Sequence, residues 1–404
     1  MKPHFPLRYL LVSLAALGGS HVAHAACTQT LNPGANVSSA VSSAAAGSTI
    51  CLNAGSYGSQ AFVNIAKSSP VTIQSTSGQT ASIRPDVYSS SNLVFANLTM
   101  PGLEIREASR NVRVQGTKFT GQALLRVTTT DSNVVIDSST FDGISVCTNC
   151  YEGRLQIVQG HGVKITNNHF GGGGESDGIQ LSASGATIGP GNVFEGILQG
   201  SYGRHIDAIQ GYGQSNTTIV GNYFTNNTIY VGMYDGGRNE TITGNVFGPS
   251  ATSEQKLQLG SIQGLTFTHN TVKGRFVVAQ GAKNGMTRNN NAVYRNNIFD
   301  GTSIADTGDQ PGCATGCVYE RNLFTSSTSA RGVNNIIGTP TYAGGATSWP
   351  GYQLSTSSLG YKAATDGADV GITYYGPGTS GGTVQPSEPA PVVLSAPTSL
   401  RVVN

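Results

Sequence analysis

Two short phrases hold most of the side chains that could do chemistry. Glu175-Ser-Asp-Gly-Ile-Gln180 is echoed by His205-Ile-Asp-Ala-Ile-Gln210, and Asp177 stands as far ahead of Phe194 as Asp207 does of Phe224. Equal places in successive repeats become neighbours when the repeats stack, at about 4.8 Å between strand backbones. Two carboxylates that close cannot both stay ionised easily, so one becomes an acid while the other can activate water. With Glu175 beside them, Asp177 and Asp207 could instead gather oxygen ligands for a hard cation such as Ca²⁺, leaving His205 or Lys256 as a base. The structural alternative is that Asp-Gly marks a turn and the carboxylate caps backbone N–H groups. Two such aspartates in register, one accompanied by Glu175 and the other by His205, favour chemistry.

Counting back by that same offset from each repeating aromatic position gives the column Gly153, Asp177, Asp207, Tyr230 and Gln255. The adjacent column reads Arg154, Gly178, Ala208, Val231 and Lys256. Arg154, Arg204, Arg238, Tyr230 and Tyr234 fall on the same or nearby repeats, where cations and phenols can bind a ligand. Only 11% of the residues are charged, so this gathering is a local feature and not a reflection of composition.

The elements that must position these groups show as a repeat. Phenylalanines close similar phrases at 119, 141, 170, 194, 224, 247, 299 and 324, with Val272 in the gap, a spacing that falls in the range of solenoid repeats. Asn111-Val-Arg-Val-Gln115 and Asn216-Thr-Thr-Ile-Val220 show the alternation, which turns Val and Ile inward and the polar residues outward. Intervals this short, built from strands and Asn/Gly turns, leave no room for a crossover helix and indicate a parallel β-solenoid. An Asn row at 168, 192, 222, 245, 270, 297 and 322 is expected to turn a corner, through its tolerance of the left-handed conformation and bonding along the stack. The longer intervals place extra residues at 147–154 and 195–204, expected to project as loops flanking a groove.

Residues 1–25 read as a signal peptide: Lys2 and Arg8, an apolar core from Leu10 to Leu17, and Ala23-His-Ala25 at the cleavage site. Export is expected, to the periplasm or the medium. No later stretch approaches the roughly 20 apolar residues of a membrane span. A formal charge of +2, part of it in the leader, provides no basic face for nucleic acid. Six cysteines in an exported chain suggest disulfides, with Cys27 and Cys51, Cys147 and Cys150, and Cys313 and Cys317 as the natural pairs. Residues 376–404 form a Pro/Gly/Ser-rich linker or tail.

The stretch from Ala35 to Ala46 reads as one short helix capped by Asn36 or Ser38, followed by the strand Thr49-Ile-Cys-Leu52 and the turn Asn53-Ala-Gly-Ser-Tyr57. This order resembles the N-terminal cap of right-handed parallel β-helix proteins, and residues 26–58 are assigned to it. With the repeats, the chain over 26–375 resembles the pectate lyase-like superfamily, whose closing coil is expected within 351–372. The resemblance implies an all-β right-handed parallel β-helix with a short capping helix. It further implies a secreted monomer acting on a polysaccharide. The reading that suits the basic fringe is a lyase cleaving a uronate-containing chain by β-elimination, with Asp177, Asp207, His205 and Lys256 catalytic and Ca²⁺ held by Glu175, Asp177 and Asp207. An inverting hydrolase using Asp177 and Asp207, and a non-catalytic adhesin or tailspike-like binder, are the alternatives.

Overall fold

The computed structural model describes residues 26–373, apart from 146–152, 201–204, 234, 251–255, 275–276, 283–287 and 309–312. The leader, the tail, Arg204, Tyr234 and the Cys147–Cys150 pair therefore lie outside the described residues. The chain winds into a parallel β-solenoid of about 11 turns. Its faces are two 13-stranded sheets, an 8-stranded sheet and a 5-stranded sheet, with every ladder between strands parallel.

Period-two alternation builds the core. In Ala81–Tyr88 the even-spaced Ala81, Ile83, Pro85 and Val87 are buried while Ser82, Arg84 and Asp86 between them are half-buried. Phe170, Phe194, Phe224 and Phe247 pair in register along the 8-stranded sheet, continuing through Val272 to Phe299 and Phe324. Their rings stack with centroids 4.7 to 5.0 Å apart, which is one strand spacing.

The Asn row is buried and bonds along the stack as expected, but it does not itself take the left-handed conformation. Asn245 Oδ1 accepts from the backbone N and the Nδ2 of Asn222 at 2.9 and 3.0 Å, while its own Nδ2 donates to Ile219 O and Asn270 Oδ1 at 2.9 and 3.0 Å. The left-handed residue is the one before each ladder Asn: Asn167, Gly191, Gly221, Gly244, His269, Asn296 and Arg321 all have positive φ. The row is thus an amide ladder in which each Asn from 192 to 297 donates both to a carbonyl and to the next Asn, and its neighbours make the corner.

The capping helix spans Val37–Ser43, with Asn36 Oδ1 accepting from Ser39 N at 2.8 Å. Val37 and Val41 cover the first coil, and Lys67 Nζ donates to Ser42 O and Ala44 O at the helix C-terminus. The Cys27–Cys51 and Cys313–Cys317 disulfides are both formed.

The segment expected to close the solenoid as a coil is instead a strap. Residues 339–373 run back across the outer surface: Tyr352 and Trp349 pack with Val246 and Ile372, Val370 and Leu354 pack with Ile298 and Leu323, and Gly371 N donates to Asn296 O. His269 is drawn into this strap through Asp366, 3.0 Å from its Nε2. Strand propensity fails there because Pro and Gly interrupt the alternation.

Candidate active site

Asp177 opens the strand Asp177–Leu181 and Asp207 opens Asp207–Gly211, and the two strands pair so that the aspartates fall side by side. Asp177 Oδ1 accepts from the backbone N of Asp207 at 2.8 Å, and its Oδ2 accepts from Gln180 Nε2 at 3.0 Å. Both carboxylates are fully buried, contrary to the expectation of an open groove. The loops ahead of the two strands crowd together: a Cβ on Gly200 would sit 1.8 Å from Glu175 Oε1. The exposed member of the group is His205, half-exposed with its Nδ1 3.5 Å from Asp207 Oδ1.

The remaining columns require correction. Asp207 pairs with Ile229, not Tyr230, and Ile229 pairs with Lys256, not Gln255. The aspartate column is therefore Gly153, Asp177, Asp207, Ile229 and Lys256, and the Lys256 side chain lies outside the description. Ile229 stands in place of Tyr230 because the stretch from Met233 to Gly237 is one residue longer than its counterpart from Gly211 to Gln214. Lys256 stands in place of Gln255 because of the corner itself, where the other coils carry an extra residue. Arg154 and Leu155, Gly178 and Ile179, Ala208 and Ile209, and Tyr230 and Val231 are buried as consecutive pairs. Lys256 and Leu257 lack the extra residue, so the register shifts there.

Two expected ligand-binding side chains consequently point inward. Tyr230 is buried against Phe224 and Phe247, and its hydroxyl donates to Gly248 O at 2.7 Å. Arg154 is also fully buried, and burial pulls its guanidinium down to about 10 while Asp142 and Asp177 oppose the fall. It donates to Phe141 O at 2.8 Å, to Gly171 O, to Gly173 O at 2.8 Å and to Ser176 Oγ at 3.3 Å. Arg238 is exposed but sits on the 5-stranded sheet, beyond the far end of the strand that opens beside Asp207. A five-residue strand is roughly 16 Å long, so Arg238 does not reach the carboxylates.

The oxygen donors do not converge for calcium. Asp177 spends both oxygens on protein donors, and among the described residues no three His, Cys, Asp or Glu side chains are arranged around a common point.

Two features escaped the sequence reading. Gln156, Gln180, Gln210 and Gln258 share one outward column, broken only by Gly232, with Gln156 Nε2 donating to Gln180 Oε1 at 2.8 Å. The signal was present, since each Gln stands two residues after the inward pair begins: Arg154-Leu-Gln, Gly178-Ile-Gln, Ala208-Ile-Gln. On the same sheet, nearer the cap, Arg84, Glu104, Arg106 and Asp86 form a ladder of ion pairs at 2.7 to 3.3 Å. The second feature is Glu240, 1% exposed on an inward column otherwise filled by Ala186, Thr217, Leu265 and Ala292. Burial pushes its carboxyl up to about 7, against the lowering by the backbone N of Arg238 and by Thr217.

Comparison with solved structures decides the fold. A mannuronic acid-specific family 6 polysaccharide lyase from human gut microbiota superposes with TM-score 0.50 at 13% identity, over 84% of this chain and 90% of that one. This chain is a parallel β-helix. A family 6 alginate lyase matches with TM-score 0.45 and 12% identity over 86% of this chain, which spans 58% of that protein's length. Pectate lyase Pel9A matches with TM-score 0.42 and 14% identity over 87% of this β-helix and 94% of its own length. No family model and no curated protein matches the sequence.

Proposed function

We propose that this β-helix is a secreted polysaccharide lyase that cleaves a uronate-containing chain by β-elimination, with His205 as the base. The observation that carries the reading is the pairing of one exposed imidazole with one buried carboxylate, His205 Nδ1 to Asp207 Oδ1, at the edge of a long sheet face lined by glutamines. A carboxylate behind an imidazole fixes the ring and stabilises the imidazolium that forms when the outer nitrogen takes a proton. Asp177 supports the pair by holding the N–H of Asp207.

In the reaction, His205 removes the proton α to the uronate carboxylate. The electron pair left behind forms a double bond to the β-carbon, and the glycosidic C–O bond at that carbon breaks. The leaving oxygen takes a proton and departs as a new chain end. Gln180 and Gln258, the half-buried members of the glutamine column, offer amide donors and acceptors to sugar hydroxyls and carboxylates without the desolvation cost of charges, while Gln156 and Gln210 are buried. The backbone of Lys256 stands in the aspartate column two strands beyond Asp207, about 10 Å along the stack, and in this reading the lysine meets the negative charge of a neighbouring uronate. Calcium would supply neutralisation of the uronate if it bound, but the donor set described above does not form its site, and no step depends on it.

The hydrolase alternative requires a water between two reachable carboxyls separated by about 6.5–9.5 Å. Asp177 and Asp207 are adjacent and buried, and the Asp177 carboxylate is bound to a backbone N–H and a side-chain amide, which disfavours it. The test is to offer the purified protein a panel of polyuronates and follow the absorbance of unsaturated products. His205→Gln should abolish the signal and Asp207→Asn should lower turnover at least about a hundredfold. Release of reducing ends without absorbance would replace the lyase with a hydrolase, and binding without either would indicate an adhesin.

A further inference from the structure

Arg154 is an expensive residue to bury, and its column neighbours on the next coils are only Gly178, Ala208 and Tyr230. A charge removed from water is tolerated when its donors are all used. Here four of its five N–H groups are used, three of them on one target. Three acceptors, Gly171 O, Gly173 O and Ser176 Oγ, lie within the single run Gly171-Gly-Gly-Gly-Glu-Ser176, and the fourth, Phe141 O, belongs to the coil beneath. Ser176 Oγ in turn donates to Ile144 O at 2.6 Å.

Four successive glycines would ordinarily leave such a loop with great conformational freedom. Gly174 cannot be otherwise, since a Cβ there would lie 2.3 Å from Ile144 O at φ +74°. The loop carries Glu175 and delivers the chain into Asp177, whose Oδ1 holds the amide of Asp207, which in turn faces His205. A continuous path of named contacts therefore runs from the buried guanidinium to the exposed imidazole.

We propose that Arg154 is a positioning residue of the active site, which pins the glycine loop from inside the solenoid and so sets Asp177, Asp207 and His205 in their working geometry. This rests on the lyase reading. Its role is separable from simple stabilisation because it acts on a loop, while the Phe and Asn ladders hold the coils together.

The experiment uses the full-length protein with the polyuronate that the panel identifies. Arg154→Met should lower kcat about thirtyfold to a hundredfold, the scale of a misplacement near 1 Å, with KM changed less than about threefold. Amide hydrogen exchange should accelerate across 171–177 and stay unchanged in the Phe ladder strands. In Arg154→Ala, millimolar guanidinium should restore part of kcat and leave wild type unaffected. If Arg154 variants fail to fold, Ser176→Ala removes one contact at each side and should lower kcat about fivefold with the melting temperature held. Faster exchange in the loop with unchanged kcat overturns the proposal and leaves the lyase reading standing. Wild type that is inactive on every polyuronate overturns the reading itself, and the proposal with it.

Discussion

Glu240 should make the solenoid lose stability as pH rises through neutrality, and Glu240→Gln should remove that loss. The carboxyl sits at an inward position, 1% exposed, with Oε1 accepting from Arg238 N at 3.3 Å and Oε2 without a hydrogen-bond partner. Its pKa stands at about 7 in the fold against 4.5 for the free side chain, because burial penalises the charge. The folded state thus binds this proton more tightly than the unfolded chain. The associated stability is complete below about pH 4.5 and lost as pH climbs through about 7. The gap of about 2.5 pH units, at about 1.4 kcal/mol each, amounts to about 3.5 kcal/mol over the full titration. Gln has the same shape and cannot ionise, so stability of the variant relative to wild type should rise by about 3 kcal/mol between about pH 4.5 and pH 8. Stacked repeats need not unfold in one step, and the single Trp349 reports on the strap. The measurement is therefore urea unfolding by circular dichroism, together with hydrogen exchange of the amides at 237–243. Parallel pH profiles for the two proteins would refute the burial argument.

Asn245→Leu should destabilise by on the order of 3–5 kcal/mol, since it removes the acceptor of Asn222 N–H and Nδ2 and the side-chain donor to Ile219 O; a urea midpoint within error of wild type would contradict the ladder. Replacing Cys27 and Cys51 by Ser opens a link across 24 residues and should cost about 3 kcal/mol at the capped end, visible as faster exchange in Thr49–Leu52. Chelation of divalent cations should leave activity on the identified polyuronate unchanged, whereas a loss restored by Ca²⁺ would bring metal back into the mechanism. Arg238→Ala should leave kcat/KM within about twofold, as it lies beyond the far end of the strands; a tenfold fall would place substrate on that edge.

The solenoid was legible because its columns repeat a residue type: Phe returning once per coil and Asn two before most of them leave little other choice of register. The juxtaposition of Asp177 and Asp207 followed from the same count. What misled was the corner. Period-two reasoning assigns alternate residues to alternate faces, and the consecutive buried pairs from Arg154-Leu155 to Tyr230-Val231 break it. Arg154 and Tyr230 were accordingly read as surface ligands. Glu240 was hidden for a similar reason, since Asn239-Glu-Thr241 reads as a polar turn while the ladder of Thr218, Thr241 and Thr266 turns its predecessor inward. Burial of the aspartates depended on loops such as 196–200 crossing Glu175, and loop paths carry no periodic signal.

The stacked Phe and Asn columns also act as a ruler. Because every coil is locked to the next through the same rings and amides, a side chain on the glutamine face can be moved along the molecule only in whole steps of about 4.8 Å. Inserting or deleting one coil would translate everything beyond it by one graduation and leave the local contacts intact. A polymer lying along that face meets functional groups at quantised positions, so changes in the length of chain it grips would come by adding coils, and changes in what it recognises by altering the residue that each graduation presents.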